Sequence, residues 1–330
     1  MSDMSLNLES QRGWSMAARE VVLKKFKAGD AVFRRLTFSA AIFVLILLGA
    51  IIASLIYGAA PALSKFGFGF LTTERWSVSR EIFGALSPIY GTLMTSLIAM
   101  LIAVPVGIGI AIFLTELCPM VLRRPIGIAI ELLAGIPSII YGIWGFFVLA
   151  PFLKDNVMPW LADTFEPVPV LNVIFAGPGY SSSLLTAGLI LAIMVLPFIA
   201  AISRDVFSTV PPVLKEAAFG IGCTTWEVVR NVVIPYTRVG VVGGVMLALG
   251  RALGETMAVT FVIGNSHRIS ASLLDPATTI SATIANEFQE ASGMYTSALL
   301  ALGLLLFLIT FTVLAIARIL LARLARNAGT

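Results

Sequence analysis

Six stretches of this chain run for about 20 residues each with almost no charge, the length needed to cross a bilayer's hydrocarbon core. They cover residues 36–58, 90–114, 126–151, 184–203, 240–264 and 298–317. In lipid every backbone N–H and C=O must be satisfied within the segment or by a closed barrel. The alternating pattern of barrel strands is missing from the sequence, so the segments are expected to be helices. Composition agrees: 58% of residues are hydrophobic and 12% charged, where a soluble domain has about a quarter charged. The expected class is an all-α integral membrane protein. Residues 1–35 precede the first stretch, which is too long for a cleaved signal and is expected to persist as a helix.

The basic residues orient the spans, because Lys and Arg concentrate on the cytoplasmic side. With the N-terminus inside, one face receives the seven from Arg12 to Arg35, then Arg123 and Arg124, then Arg204, Lys215, Arg230 and Arg238, and finally Arg318, Arg323 and Arg326. The other receives Lys65, Arg75, Arg80, Lys154 and Arg268. Both termini are therefore expected to be cytoplasmic. The 1–35 tail mixes these charges with Trp14, Met16, Val21, Val22, Leu23 and Phe26, and reads either as a basic amphipathic helix on the inner surface or as a flexible anchor. Outer loops are expected at 59–89 and 152–183, solvated or docking an extracytoplasmic partner.

Other chemistry finds little support. Cys118 and Cys223 form no paired motif, and His267 is the sole histidine, so neither a disulfide framework nor a metal centre is expected. A phosphate-binding P-loop needs Gly directly before its Lys. None of Lys24, Lys25, Lys27, Lys65, Lys154 and Lys215 follows a glycine, so ATP hydrolysis is not expected on this chain.

The fifth stretch holds an exception to its own apolarity. In GGVMLALGRALGETMAVTFVIG, residues 243–264, Arg251 sits midway along with Glu255 four residues on. On one continuous helix the two share a face. A lone charge at that depth costs about 2.5–3.5 kcal/mol on insertion scales, and pairing lowers that cost. A guanidinium offers a planar fork to oxyanions, so the pair suits an anion path, with Glu255 holding Arg251 between turnovers. The plainer reading is an ion pair that only fixes packing. Gly250 and Gly254 have the small-xxx-small spacing of close helix approach. Glu131 and Glu116 are expected to pair with Arg123 and Arg124, and Pro137 to open the third helix locally.

The segment LKEAAFGIGCTTWEVVRNVVIP, residues 214–235, departs from both lipid and linker composition. Its apolar and charged residues interleave, Gly220 and Gly222 break the run, and Thr224 or Thr225 can cap a second helix. The expectation is helix, glycine bend, helix, ended by Pro235 before the next span. Such an element suits docking into a groove on a partner.

This segment resembles the EAA loop of ABC importer permeases: Glu216, Ala217 and Ala218, then Gly222, then Val232, Ile234 and Pro235 at the matching spacing. Val232 and Ile234 stand where the family has Ile and Leu. ALSPIYGTLMTSLIA (85–99), GIAIELLAGIPSIIYGIWG (127–145), GIGCTTWEVV (220–229) and GRALGETMAVTFVIGN (250–265) extend the likeness, over about residues 36–320, to the PstC-like permeases of high-affinity phosphate importers. The resemblance implies a six-helix type I ABC importer permease, with a cytoplasmic tail over 1–35, a first helix over 36–58 and a core over 90–318. Glu216, Ala217, Ala218, Gly222 and Pro235 would couple it to an ATPase, and Arg251 and Glu255 would line the anion path. It also implies a PstA-like second permease, a dimer of PstB-like ATPases carrying ATP and Mg, and a PstS-like extracytoplasmic phosphate-binding protein. Permeases for sulfate, molybdate or phosphonate fit the same architecture, since Arg alone does not separate these anions. An ion-coupled secondary transporter lacks a reason for the 214–235 loop, and a membrane-embedded enzyme lacks a visible HExxH or Ser–His arrangement.

Overall fold

The structure is a computed structural model that describes residues 16–326, with side chains described for residues 29, 30, 32–319 and 322. Twelve helices follow in chain order among the described residues. They are α1 (Met16–Phe66), α2 (Gly69–Thr72), α3 (Leu86–Leu117), α4 (Met120–Ala134), α5 (Ser138–Phe165) and α6 (Leu171–Ile174), then α7 (Leu184–Ser208), α8 (Pro212–Gly220), α9 (Thr225–Leu253), α10 (Met257–Val262), α11 (Ile280–Glu287) and α12 (Met294–Arg326). The described part of α1 from Val32, together with α3, α5, α7, α9 and α12 up to Ile319, is long and apolar enough to span a membrane.

The chain divides into two units, one ending at Tyr57 and one beginning at Gly58. In the first, Phe33, Leu36, Phe38, Phe43, Leu45 and Ile46 are all exposed around α1. A helix apolar on every side suits lipid or a partner helix. The basic tail expected over 1–35 is helical from Met16 on; residues 1–15 lie outside the described residues.

In the second unit α7 is the central helix. Ala187, Ile190, Leu191, Val195, Ile199 and Ala200 are fully or almost fully buried along it. Its longest partner is α3, and glycines set the approach: a Cβ on Gly188 would lie 2.6 Å from Ile98 Cγ2, and one on Gly107 2.9 Å from Ile199 Cγ2. Without hydrophobic driving force between helices in lipid, close packing of this kind holds them together. Ser183 caps α7, its hydroxyl accepting the Thr186 N–H at 3.2 Å.

The third and fifth spans differ from expectation. Gly135 ends α4, and Pro137, which cannot donate a backbone hydrogen bond and disfavours helix in the residue before it, separates α4 from α5. The span therefore begins at Ser138, not 126, and runs to Phe165, shortening the expected 152–183 loop. Likewise α1 reaches Phe66. The fifth span starts at Thr225 and stops at Leu253.

Residues 264–279 are not a free loop. Leu274, Ala277 and Thr278 are buried, and the Thr278 carbonyl crosses so close to Gly91 that a Cβ there would fall within 2.0 Å of it. The buried backbone is satisfied by side chains: Thr92 Oγ1 accepts the Ile280 N–H at 3.0 Å, and Thr279 Oγ1 that of Ala282 at 3.1 Å.

Candidate translocation and coupling sites

Arg251 lies in the last turn of α9, two residues before its end. Gly254 is the C-cap, Glu255 and Thr256 are not helical, and α10 starts at Met257. Arg251 and Glu255 therefore do not share the face of one helix. No ion pair joins them among the described residues. Instead Glu255 Oε1 accepts the Ala258 N–H at 3.3 Å, satisfying a donor at the start of α10. The physical reason is the broken helix. A cation is favoured at a C-terminal helix end and a carboxylate at an N-terminal one, so each charge is stabilised by backbone and not by the other. Gly250 meets Leu314 of α12, while Gly254 serves the break, so the pair of glycines does not form one packing stripe.

Arg251 is exposed and makes no hydrogen bond or ion pair with another described residue. Its guanidinium stands over the Phe198 ring at 5.8 Å from the centroid, a cation–π contact from α7. The contact orients the group while leaving its N–H donors available.

The 212–235 segment forms as a helix, a bend and a second helix. At the end of α8 the Gly222 N–H reaches the Phe219 carbonyl at 3.0 Å and the Cys223 N–H the Ala218 carbonyl at 3.1 Å, with Gly222 at φ +93°. This is a Schellman closure, and its left-handed position favours glycine. Thr224 and Glu227 then form a capping box: Thr224 Oγ1 accepts the Glu227 N–H at 3.4 Å and Glu227 Oε2 accepts the Thr224 N–H at 2.8 Å. Of the two threonines that could cap this helix, Thr224 does so, and Glu227 three residues on is the sequence signal that distinguishes it from Thr225.

Pro235 does not end the second helix. A π turn over Val229–Val233 precedes it, and the helix continues through Pro235 to Leu253. A wider turn places a residue without an N–H where the regular ladder is already displaced. The 225–235 helix is thus one body with the span that carries Arg251.

Of the motif residues, Ala218 is buried among Phe207, Val210, Val228 and Val233, while Glu216 and Ala217 face outward. Phe219, Ile221 and Trp226 are also exposed, Ile221 at 84%. Exposed large apolar residues grouped around one bend mark an interaction surface.

The acidic partners differ from expectation too. Glu116, at the end of α3, meets Lys215 of α8 at 2.6 Å, and Glu131 meets Arg204 of α7 at 2.7 Å. Arg123 instead donates to the Thr115 carbonyl at 2.7 Å. Sequence neighbours lost to helices that fold back from farther along the chain.

Residues 103–326 match the family model described as the binding-protein-dependent transport system inner membrane component. The chain belongs to that family. It is 66% identical over 314 residues to a Mesorhizobium japonicum protein named phosphate transport system permease protein PstC, covering 95% of this chain and 96% of that one. A Pasteurella multocida protein of the same name is 55% identical, with 91% and 94% covered. A Methanocaldococcus jannaschii protein named as a probable one is 40% identical, with 88% and 93% covered. Among solved structures, a bacterial ABC transporter importing the polysaccharide alginate aligns with TM-score 0.54 at 19% identity, covering 91% of this chain and 98% of that one. The inward-facing MetNI methionine ABC transporter aligns with TM-score 0.53 at 16% identity, covering 72% and 94%. These two establish the fold, a type I importer permease.

Proposed function

We propose that this chain is the membrane-spanning permease subunit of an ATP-driven importer of inorganic phosphate, and that Arg251 contacts the anion in transit. The observation that carries the assignment of the site is an exposed guanidinium without an acidic partner among the described residues, held on an aromatic face where two half-helices meet. Discontinuous helices place charged groups and helix ends at the substrate site in many transporters. The cargo follows from the phosphate transport named for relatives that match nearly the whole chain. This favours phosphate over sulfate, molybdate or phosphonate.

Glu255 takes a different role from a clasp on Arg251. By accepting the Ala258 N–H it holds the break open, so that Arg251 stays at a helix end. The 212–235 segment docks on a separate ATPase that binds ATP and Mg. Because α9 runs from Thr225 to Leu253, a push on the exposed Trp226 is carried along one helix to Arg251, and a push on Phe219 and Ile221 reaches that helix through the bend at Gly222. A second, PstA-like permease and a PstS-like extracytoplasmic phosphate-binding protein complete the assembly, with both termini of this chain cytoplasmic.

The test is phosphate uptake by cells carrying Arg251→Gln, with membrane level and ATPase association measured alongside. Loss of uptake in an assembled complex is the expected result. Normal high-affinity uptake would remove Arg251 from the path.

A further inference from the structure

A cavity of about 510 Å³ lies where the segment 74–82 meets the segment 267–268. Three arginines line it: Arg75, Arg80 and Arg268. All three are exposed, and none makes a hydrogen bond or ion pair with another described residue. The cavity sits before the start of α3, while Lys215 meets the far end of that helix. At 1.5 Å per residue the two ends of α3 are roughly 45 Å apart.

The acids around these arginines are already engaged. Glu74 Oε1 accepts the Ile269 N–H at 2.6 Å, and Glu81 pairs with Lys65 at 2.8 Å. Glu287 accepts from Trp76 Nε1 at 2.8 Å and from the Tyr295 hydroxyl at 2.6 Å, and it meets His267 Nε2 at 3.0 Å. Glu74 lines the cavity too, but among the described residues no acid forms an ion pair with Arg75, Arg80 or Arg268, so positive charge is in excess there.

The same bonds fix the backbone that carries them. Arg75 stands between Glu74 and Trp76, and Arg268 between His267 and Ile269; all four neighbours are tied down. Trp76 and His267 also stack on each other, ring centroids 5.1 Å apart and planes within 4°. Arg80 rides a tight turn closed by the Ser77–Ile82 bridge, with Ser77 N–H on the Ile82 carbonyl at 2.8 Å. Rigid stems with free guanidinium heads match an anion whose oxygens accept from several forks at once.

Chain connectivity ties this cavity to the candidate path. From Arg251 the chain passes through Glu255 and α10, turns at Gly264 with φ +92°, and arrives at Arg268. We propose that Arg75, Arg80 and Arg268 form a receiving site for a tetrahedral oxyanion, upstream of Arg251 on the way in. This rests on the importer reading above. The site concentrates phosphate at the outer mouth, as an excess of positive charge in a cleft raises the local level of its counter-ion.

The test uses the complete permease–ATPase complex in nanodiscs, titrated calorimetrically with inorganic phosphate. In an Arg251→Gln background, saturable phosphate binding should persist. Adding Arg75→Gln and Arg268→Gln should weaken it about tenfold or more, while Arg75→Lys with Arg268→Lys should keep most of it. Binding that is lost with Arg251→Gln alone, or that ignores the outer substitutions, overturns the site. So does a triple Gln variant that loses its extracytoplasmic binding protein while its phosphate titration is unchanged, which would make this face a protein-docking surface. A wild-type complex that binds phosphate at the arginines yet transports none would support the site and sink the importer reading.

Discussion

The ammonium of Lys215 and the carboxylate of Glu116 meet at 2.6 Å, joining the residue directly before Glu216 to the end of α3. Glu116 is 7% exposed and Lys215 20%, so the pair is mostly withdrawn from water. Ala218, one turn on, packs into the cluster of Phe207 and Val233. The outward face of α8 is thus free to dock while its inward face is bound to α3, α7 and α9.

That pair is expected to orient α8. Lys215→Met leaves Glu116 as a buried charge without a partner, a change that costs roughly 3–5 kcal/mol in general. The double variant Glu116→Gln/Lys215→Met should recover most of the lost thermal stability. Coupling between ATP hydrolysis and uptake should stay impaired in it. Additive effects of the two single changes in a double-mutant cycle would show that the pair does not act as a unit.

At Arg251, Lys should substitute poorly. It keeps the charge but loses the planar fork and the stacking on Phe198. Uptake assays on Arg251→Lys and Phe198→Leu are expected to show reduced transport with normal assembly, the larger loss at Arg251. Equal rates for Arg251→Lys and wild type would mean that charge alone suffices.

For Glu255, the capping role predicts that Gln and Asp differ from Ala. Gln retains an acceptor for the Ala258 N–H and should keep part of the transport. Ala removes it, at the order of 1 kcal/mol usual for a lost cap. If Gln and Ala were equally inactive, the negative charge itself would be the requirement, and the capping account would be wrong.

Gly222 offers a conformational test. A Cβ at this position meets nothing within 4 Å, so the penalty is backbone alone. At φ +93° an L-residue is strained by about 1–2 kcal/mol. ATPase association measured by co-purification should fall in the order Gly, Asn, Ala, Val, because Asn tolerates left-handed backbone best. Equal association for Asn and Val would remove the bend from the coupling surface.

Glu287 supplies a pH dependence. Burial pushes its carboxyl up, but the hydrogen bonds from His267, Tyr295 and Trp76 outweigh this and hold it below the usual range. The folded value is lowered, so its contribution to stability is complete above the unfolded carboxylate value near 4.3 and is lost as pH falls through the folded value. Melting of the purified protein should therefore drop on acidification below about pH 4, with a shallower drop in Glu287→Gln. Identical slopes in the two proteins would contradict the ascribed role.

The six apolar stretches, the helix–bend–helix expected at 214–235 and the local opening at Pro137 were legible in the sequence because each has a local cause, whereas the bounds of the third and fifth spans and the helix running on through Pro235 were not. Apolar length, Gly222 and a missing N–H act within a few residues of themselves. Pair identities were not legible. Glu116 finds Lys215 ninety-nine residues away, and Glu131 finds Arg204 seventy-three away, in place of Arg123 and Arg124 nearby. Apolar length around Arg251 and Glu255 already places charge inside a hydrophobic stretch. That the stretch is two helices is a matter of the folded chain: capping and helix-end electrostatics at Gly254 and Ala258 compete with a side-chain pair, and the packing of α9 and α10 against α7 settles which of them wins.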